Sequence, residues 1–387
     1  MDKQQTLALL NHPDVETRLA NLARLLAEEA APPTPKPQFA NNHIHTFYSF
    51  SPYSPTAAVW FAREAGLQTA GIMDHDSIAG GMEFRRAGQL AGLGVTCGME
   101  LRVSFQGTGL ETRKLNNPDQ AGIAYMAVHS IPPERHRAFQ QAIEPYRQAR
   151  NRRNRQMVDN INRRYGRLGI QVDFDRDVLP ASHWTEGGSV TERHLMWAVA
   201  QQLLALSQGQ DLAAFLEERL SIPVSPKQRA QLAEKGPYLP YDLLGILKSH
   251  LIAPIYVPAT DECMSLSQLA ALCKKNDALL CYPYLGDVGE SVTGDKKAEQ
   301  FEDSYLDNLF QVLEQAGVGY ITYMPSRNTD QQIQRLRALC LRHGMGEISG
   351  EDVNSPRQSF ICQKLAEPGF SHLVDAAWAL VRREARD

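Results

Sequence analysis

Short apolar runs alternate with helical patterns along most of this chain. The runs that predict strands cover residues 39–45, 69–73, 94–104, 123–129, 277–282, 318–324 and 345–350. Apolar residues at helical spacing predict helices at 55–66, 79–92, 134–168, 190–206, 265–275, 301–316 and 328–343. Strands that alternate with helices in this way predict an α/β fold with a parallel sheet, which we expect to close into a barrel.

Three segments do not follow this alternation. Residues 1–30 have leucines at helical spacing and precede a proline-rich linker, and they either pack on the barrel or contact a second subunit. Prolines divide residues 207–250 into short helices, which we interpret as an insertion over the barrel mouth. A last amphipathic helix is expected at 370–385. The predicted parts are a helical extension with its linker (1–37), a first barrel part (38–206), the insertion (207–250), a second barrel part (251–365) and a C-terminal helix (366–387).

Composition narrows the class of protein. The 387 residues are 43% hydrophobic and 22% charged, which is ordinary for a soluble globular protein, and the net charge of -4 does not suggest a polyanion-binding protein. No apolar run is long enough for a membrane span, and the N-terminus has no secretory pattern. The six cysteines form no CxxC pair, so we expect reduced thiols and a cytoplasmic protein.

Polar residues stand where several of the apolar runs end. The first three runs and the last one supply His43, His45, Asp74, His75, Glu100 and Asp352. Because barrel active sites lie at the carboxyl ends of the strands, these side chains are expected to meet. Imidazole and carboxylate are the ligands that bind borderline and hard divalent ions, so the pattern predicts a metal centre.

Each of these motifs also has an ordinary structural explanation when it is taken alone. HxH pairs occur by chance, and Asp76 before Ser77 is a common way to cap a helix. Glu100 in an apolar stretch needs either a hydrogen-bonded partner or a metal. The order of the motifs at successive strand ends is what favours a metal site.

Several motifs together resemble the polymerase and histidinol phosphatase (PHP) domain over about residues 40 to 365. The residues that carry the resemblance are His43-Ile44-His45-Thr46, Ser54-Pro55, Asp74-His75-Asp76-Ser77, Gly98-Met99-Glu100, Thr191-Glu192-Arg193-His194, Pro254-Ile255-Tyr256-Val257-Pro258 and Gly350-Glu351-Asp352-Val353-Asn354. The resemblance implies a distorted TIM-like (β/α) barrel of seven strands. It also implies hydrolysis of phosphoesters at up to three divalent metals, as in the metal-dependent phosphoesterases of that family.

The resemblance implies one intact metal position and two eroded ones. The intact position would consist of His43, His45, Glu100 and Asp352. A second position would share Glu100, but its two histidines correspond to Tyr125 and Tyr282, with His129 a few residues away. A third would use His75, while its other ligands correspond to Phe50 or Ser51 and to Asn354. We therefore expect one divalent ion per chain, Zn, Mn or Fe.

The favoured function is metal-dependent hydrolysis of a phosphomonoester or phosphodiester by a metal-activated water. Asp74 or His75 would act as general base, and Arg193 and His194 would hold the phosphate. We expect most arginines of the helix at 134–168 to be solvated, with some near the mouth attracting an anionic substrate. The partner would be a small phosphorylated molecule, with a nucleotide or oligonucleotide as an option, and not a membrane.

Two other functions stay open at this point. The substituted ligands are also consistent with a catalytically degenerate PHP-like domain that keeps one metal and binds or regulates a partner. One metal held by histidine and aspartate also suits an amidohydrolase-like enzyme that cleaves a non-phosphate bond. Homo-oligomerisation is left open by the sequence.

Overall fold

Eight strands form one sheet that wraps into a nearly closed barrel. The structure is a computed structural model that describes residues 1–29, 33–287 and 300–385. Its strands are β1 Ala40–Ile44, β2 Thr69–His75, β3 Gly94–Ser104, β4 Ile123–His129, β5 Met264–Ser265, β6 Leu279–Tyr284, β7 Tyr320–Tyr323 and β8 Gly346–Ser349. The main path runs β1-β2-β3-β4-β6-β7-β8, while the short β5 pairs with β3. A parallel bridge between Ile44 and Val353 joins the two ends of that path, so the predicted barrel is confirmed.

The sheet is not parallel throughout, so that part of the prediction was wrong. The strands β1, β2 and β3 are parallel, as are β6, β7 and β8, but β4 is antiparallel to both β3 and β6. A parallel neighbour requires a long crossover, usually through a helix. Residues 105–122 contain no helix, and the chain turns back directly into β4.

Helices surround the barrel, and further helices precede its first strand and follow its last strand in the chain. They are α1 Lys3–Leu10, α2 Val15–Glu28, α3 Pro55–Glu64, α4 Gly81–Ala91, α5 His136–Tyr165, α6 Glu192–Leu206, α7 Leu212–Leu220, α8 Pro226–Ala233, α9 Leu239–Ile255, α10 Leu266–Lys275, α11 Leu306–Gln315, α12 Asp330–His343 and α13 Ser371–Glu384. Their starts follow the sequence closely, because Ser54 caps α3 ahead of Pro55 and Ser265 forms a capping box on α10. Among the described residues, no helix combines the length and apolarity needed to cross a membrane.

The N-terminal helices pack on the barrel, which was one of the two arrangements open from the sequence. Leu10 of α1 and Leu22 of α2 are fully buried in the main hydrophobic core. Arg18 of α2 pairs with Glu83 of α4 through two hydrogen bonds of 2.8 and 2.6 Å, and both side chains are buried. Glu83 also accepts hydrogen bonds from the amide and hydroxyl of Thr56. The extension is therefore tied to α3 and α4 by a satisfied buried ion pair.

A second hydrophobic core lies in the helical region that follows α5. It combines the later part of α5 with α6, α7, α8 and α9, and includes Ile161, Leu203, Leu216 and Leu247. The predicted insertion boundary at 250 falls inside α9, which continues to Ile255.

The last helix closes the end of the barrel at which the strands begin. Leu380 of α13 packs against Met73, Ala127, Cys281 and Ile348, which come from four different strands and therefore face the barrel interior. Glu384 of α13 accepts hydrogen bonds from the hydroxyl of Thr96 and the amide of Cys97 near the start of β3. Helix α13 thus closes this end of the barrel. The polar residues at the carboxyl ends of β1, β2 and β8 lie at the opposite end.

Candidate metal centre

Three buried side chains meet at the open end of the barrel. Ligand atoms of His43, His45 and Glu100 all lie within 4.8 Å of one another. His43 is in β1, His45 follows that strand directly, and Glu100 is in β3, so the parallel β2 between them sets the separation. Alternation along β1 sends both histidines to the same face. The structure therefore brings together three of the four ligands of the predicted intact position.

Asp352 reaches the same cluster from the loop after β8. Backbone hydrogen bonds join His45 N to Val353 O and Val353 N to His43 O, at 2.9 and 3.1 Å. They place Asp352 Oδ1 3.2 Å from His45 Nε2. The Asp352 side chain is 45% exposed, so the cluster opens to solvent on this side.

His75, the last residue of β2, belongs to the same cluster. Its Nδ1 lies 3.1 Å from Glu100 Oε2, and its ring stacks on that of His45 with centroids 4.7 Å apart. The side chain of His75 is 22% exposed. It is thus the candidate acid–base residue that the structure places beside Glu100.

Burial and charge give the titratable groups of the cluster different pKa values. Burial, together with the charge of His45, lowers the pKa of His43 to about 4. Burial and the same charge hold the pKa of His75 well below its ordinary value. Burial opposes ionisation of His45 and Asp352, but their contact outweighs it, raising the pKa of His45 and holding that of Asp352 well below its usual range. Near neutral pH, His43 and His75 are therefore neutral imidazoles, which is the form that binds metal.

The donor set fits one divalent ion. Two ligands that each lie about 2.1 Å from a shared ion are at most about 4.2 Å apart. His43 Nε2 is 3.9 Å from Glu100 Oε2, and His45 Nε2 is 3.2 Å from Asp352 Oδ1. Two imidazoles and two carboxylates are a set that Zn, Mn and Fe accept.

Asp74 lies beside the cluster but its oxygens are already engaged. Oδ1 accepts hydrogen bonds from Thr46 N at 2.7 Å and Ser49 Oγ at 2.6 Å, and Oδ2 accepts one from Thr46 Oγ1 at 2.6 Å. Burial raises the pKa of Asp74, although these hydrogen bonds and the charge of His45 act against the rise. With only 1% of its surface exposed, Asp74 holds the loop after β1 rather than facing a substrate.

His129 is inside the barrel but outside the ligand group. It is the last residue of β4, and the antiparallel direction of that strand carries it away from the open end. Burial lowers the pKa of His129 to about 3, with a further contribution from His43. Its Nε2 has no hydrogen-bond partner among the residues that the structure describes.

The two tyrosines at predicted eroded positions occupy different places. Tyr125 is at the site, since its ring centroid lies 5.5 Å from that of His75 and its hydroxyl accepts a hydrogen bond from Arg102 Nη2 at 2.9 Å. Tyr282 packs instead in the main core outside the barrel, with its ring near Phe105. Because side chains alternate along β6, the inward Cys281 sends Tyr282 outward.

Phe50 and Asn354 are the remaining substituted positions. Phe50 has a φ of 90° and packs in the second core against His194 and Trp197. Asn354 remains next to the cluster, because its Nδ2 donates a hydrogen bond of 2.6 Å to Asp352 Oδ1. Only Asn354 of this pair is in contact with a candidate ligand.

The two residues predicted to hold phosphate are separated by the fold. Arg193 lines a cleft together with Asp352, and among the described residues its guanidinium has no hydrogen-bond partner. His194 is fully buried, and its Nδ1 accepts a hydrogen bond of 2.9 Å from Thr191 N in the capping box of α6. The structure therefore brings Arg193, and not His194, to the side of the candidate centre that faces solvent.

This cleft of about 1220 Å³ lies between α8 and α9 on one side and the loops after β6, β7 and β8 on the other. Arg357, after β8, bonds Asp242 of α9 at 2.8 and 2.9 Å and Glu234 at 2.6 Å. The helical insertion is thus joined to the loop that carries Asp352.

Sequence reasoning missed a buried charge network next to the centre. The guanidinium groups of Arg102, Arg150 and Arg153 pair with Glu192, Glu262 and Asp76. All six side chains are buried. Most of the arginines in this region are exposed, as expected, namely Arg152, Arg155, Arg163, Arg164 and Arg167, but one face of α5 is buried. The i, i+3 spacing of Arg147, Arg150 and Arg153 was the available signal, because it places them on one side of the helix.

Comparisons with known proteins agree on the fold. No family model and no curated protein matches the chain. One similar solved structure is a Bifidobacterium adolescentis protein provisionally described as a metal-dependent phosphoesterase; identity is 19%, TM-score 0.52, and the match covers 87% of this chain and 95% of that one. Another is an amidohydrolase from Chromobacterium violaceum, solved with sulfate and no metal; identity is 17%, TM-score 0.55, and coverage 87% and 96%. At such identities the likeness shows a shared α/β barrel.

Proposed function

We propose that this chain is a metal-dependent hydrolase that cleaves a phosphomonoester or phosphodiester. The observation that carries the proposal is the meeting of His43, His45 and Glu100 in a buried cluster that Asp352 opens to a large cleft. Glu100 and Asp352 place two carboxylates beside one imidazole whose pKa is raised, His45, so a divalent cation would complete the charge balance of the cluster.

His43, His45, Glu100 and Asp352 would hold the ion, one per chain. A divalent Zn, Mn or Fe ion bound by such ligands lowers the pKa of a water and polarises a substrate oxygen. Tyr125, which the resemblance aligns with a histidine ligand, lies beside His75, and its hydroxyl accepts a hydrogen bond from Arg102. Burial raises the pKa of the Tyr125 hydroxyl, so it stays protonated and is a poor ligand.

His75 and Arg193 have the chemistry for the remaining roles. His75 is neutral near pH 7 and is partly exposed beside Glu100, so it can accept or return a proton. The Arg193 guanidinium has a fork geometry that matches a phosphate, and it lines the cleft that holds Asp352. The chain thus binds and orients an anionic group next to the candidate ion.

A second candidate is hydrolysis of an amide or other non-phosphate bond. One of the similar structures is an amidohydrolase, and a single ion with histidine and aspartate ligands serves that reaction as well. Arg193 favours phosphate, because a neutral amide gives a guanidinium no charge to pair with.

Metal analysis of the purified protein and a substrate panel test the proposal. Chromogenic phosphomonoesters and phosphodiesters would be compared with amides and lactones, for wild type, His45→Ala and the remote control His372→Ala. About one ion per chain and phosphoester turnover that only His45→Ala abolishes would support it. Bound metal without turnover of any substrate would instead indicate a binding or regulatory domain, and turnover confined to amides would favour the second candidate.

A further inference from the structure

We propose that Ser49, oriented by Asp74, fixes the tautomer and ring orientation of His45 and is a positioning residue of the candidate metal centre. The inference rests on the metal centre of the proposed function and is independent of the substrate. It concerns a chain of three buried groups, Asp74, Ser49 and His45, of which none is more than 1% exposed.

The first link sets the direction of the Ser49 hydroxyl. Asp74 Oδ1 accepts a hydrogen bond from the amide of Thr46, which can only donate, so this oxygen is an acceptor. Ser49 Oγ lies 2.6 Å from the same oxygen and therefore gives it its single proton. A proton on Asp74 would sit on the other oxygen, next to Thr46 Oγ1, and would leave this direction unchanged.

The second link sets the tautomer of His45. Ser49 Oγ lies 3.2 Å from His45 Nδ1, and its proton is already committed to Asp74. The oxygen can therefore only accept, so Nδ1 must carry a hydrogen. Nε2 faces Asp352, so in the metal-free protein a hydrogen on Nε2 can also be donated to that carboxylate. An ion held by both groups would take the Nε2 lone pair instead, and Ser49 would then keep the remaining ring hydrogen on Nδ1.

The packing around the His45 imidazole restricts its rotation. His45 lies between the rings of His43 and His75, at centroid distances of 5.0 and 4.7 Å. A turn closed by Ser49 N and Thr46 O, 3.1 Å apart, returns the hydroxyl to the histidine four residues earlier. Packing restricts the ring, so the hydrogen bond at Nδ1 decides which nitrogen offers its lone pair.

Ser49→Ala and Asp74→Asn separate this role from a general effect on the loop. Ser49→Ala removes the acceptor at Nδ1. Asp74→Asn keeps it, because the Thr46 amide holds the asparagine oxygen at the Oδ1 position, so Ser49 still donates there. Ser182→Ala is the matched control, because Ser182 is buried and its hydroxyl donates to the backbone carbonyl of Leu179 and not to a candidate ligand.

The first readout is the nitrogen NMR signal of His45 in the protein loaded with Zn²⁺. It would be assigned by its absence in His45→Gln. We expect a hydrogen on Nδ1 and the ion on Nε2 in wild type, Asp74→Asn and Ser182→Ala, and a mixture of coordinating nitrogens in Ser49→Ala. Coordination through Nδ1 in the wild-type protein would overturn the inference.

The second readout is the affinity for Mn²⁺ or Co²⁺, measured by titration. We expect Ser49→Ala to weaken binding by about 10- to 100-fold, and Asp74→Asn by much less. Equal affinities for wild type and a folded Ser49→Ala would contradict the proposed role. Both readouts need no turnover, so a protein that hydrolyses no phosphoester can still support this inference while the proposed function fails.

Discussion

At the scale of single residues, Arg193 is the side chain that we expect to contact the substrate most directly. We expect Arg193→Gln to lower kcat/KM for a phosphoester by about 10- to 100-fold, because a bidentate pair with a charged group is lost. Arg193→Lys should recover only part of this, since an ammonium lacks the planar fork. Steady-state kinetics would be compared with the exposed Arg152→Gln, and metal affinity should not change. Full activity in Arg193→Gln would remove Arg193 from the substrate site.

Residue identity was enough to choose side chains that the structure brings together, but it did not show which groups surround them. The HxH pair, Glu100 and Asp352 could be chosen because their chemical types and their places at strand ends are visible in the sequence. The engagement of Asp74 with Thr46 and Ser49 could not, because it depends on how the loop after β1 folds back. His194 was predicted to bind phosphate because it is next to Arg193 in the sequence. Neighbouring side chains on a helix point about 100° apart, so the two residues face different surroundings.

At the scale of elements, the contact between β1 and the loop after β8 builds the site. A Cβ added at Gly350 would lie 2.6 Å from His43 Cβ and 2.9 Å from His43 N. We therefore expect Gly350→Ala to push the strand and loop apart, with a cost of about 1–3 kcal/mol in unfolding free energy and weaker metal binding. Chemical denaturation and metal titration would measure both.

Gly319→Ala is the control for this change, since an added Cβ there meets nothing within 4 Å. A Gly350→Ala protein as stable as Gly319→Ala, with unchanged metal affinity, would contradict the close approach.

The sequence indicated where the strands and helices lie along the chain. It gave less information about the direction of each strand in the sheet and about which face of each helix is buried. The predicted strand at 123–129 exists, yet the sheet runs antiparallel there because the connection before it has no helix. The arginine-rich helix also exists, and most of its arginines are exposed, but Arg150 and Arg153 are buried against acidic groups. Hydrophobic periodicity does not record such pairs, because they form only when distant segments meet.

At the scale of the whole molecule, Glu384 links the last helix to the barrel and should make stability depend on pH. Burial raises its pKa from 4.5 to about 7. The folded protein therefore keeps a proton that the unfolded chain releases between these values, so this contribution to stability is complete below pH 4.5 and is lost as pH rises through 7. The loss should be on the order of 1–3 kcal/mol.

Urea unfolding from about pH 5 to pH 8 would compare wild type with Glu384→Gln, which cannot titrate. We expect the wild type to lose stability relative to the variant over this range. Parallel pH profiles for the two proteins would rule out Glu384 as the source of the dependence.

By itself, the sequence determined the order and approximate bounds of the strands and helices, the barrel, and the group of histidines and carboxylates that can bind an ion. These follow from local periodicity and residue chemistry, which act within a few positions along the chain. Only the tertiary structure decided the direction of β4, the burial of Arg150 and Arg153, the outward face of Tyr282, and the cleft that joins Arg193 to Asp352. Each of these depends on contacts between segments that are far apart in sequence, where packing and charge pairing override local preference.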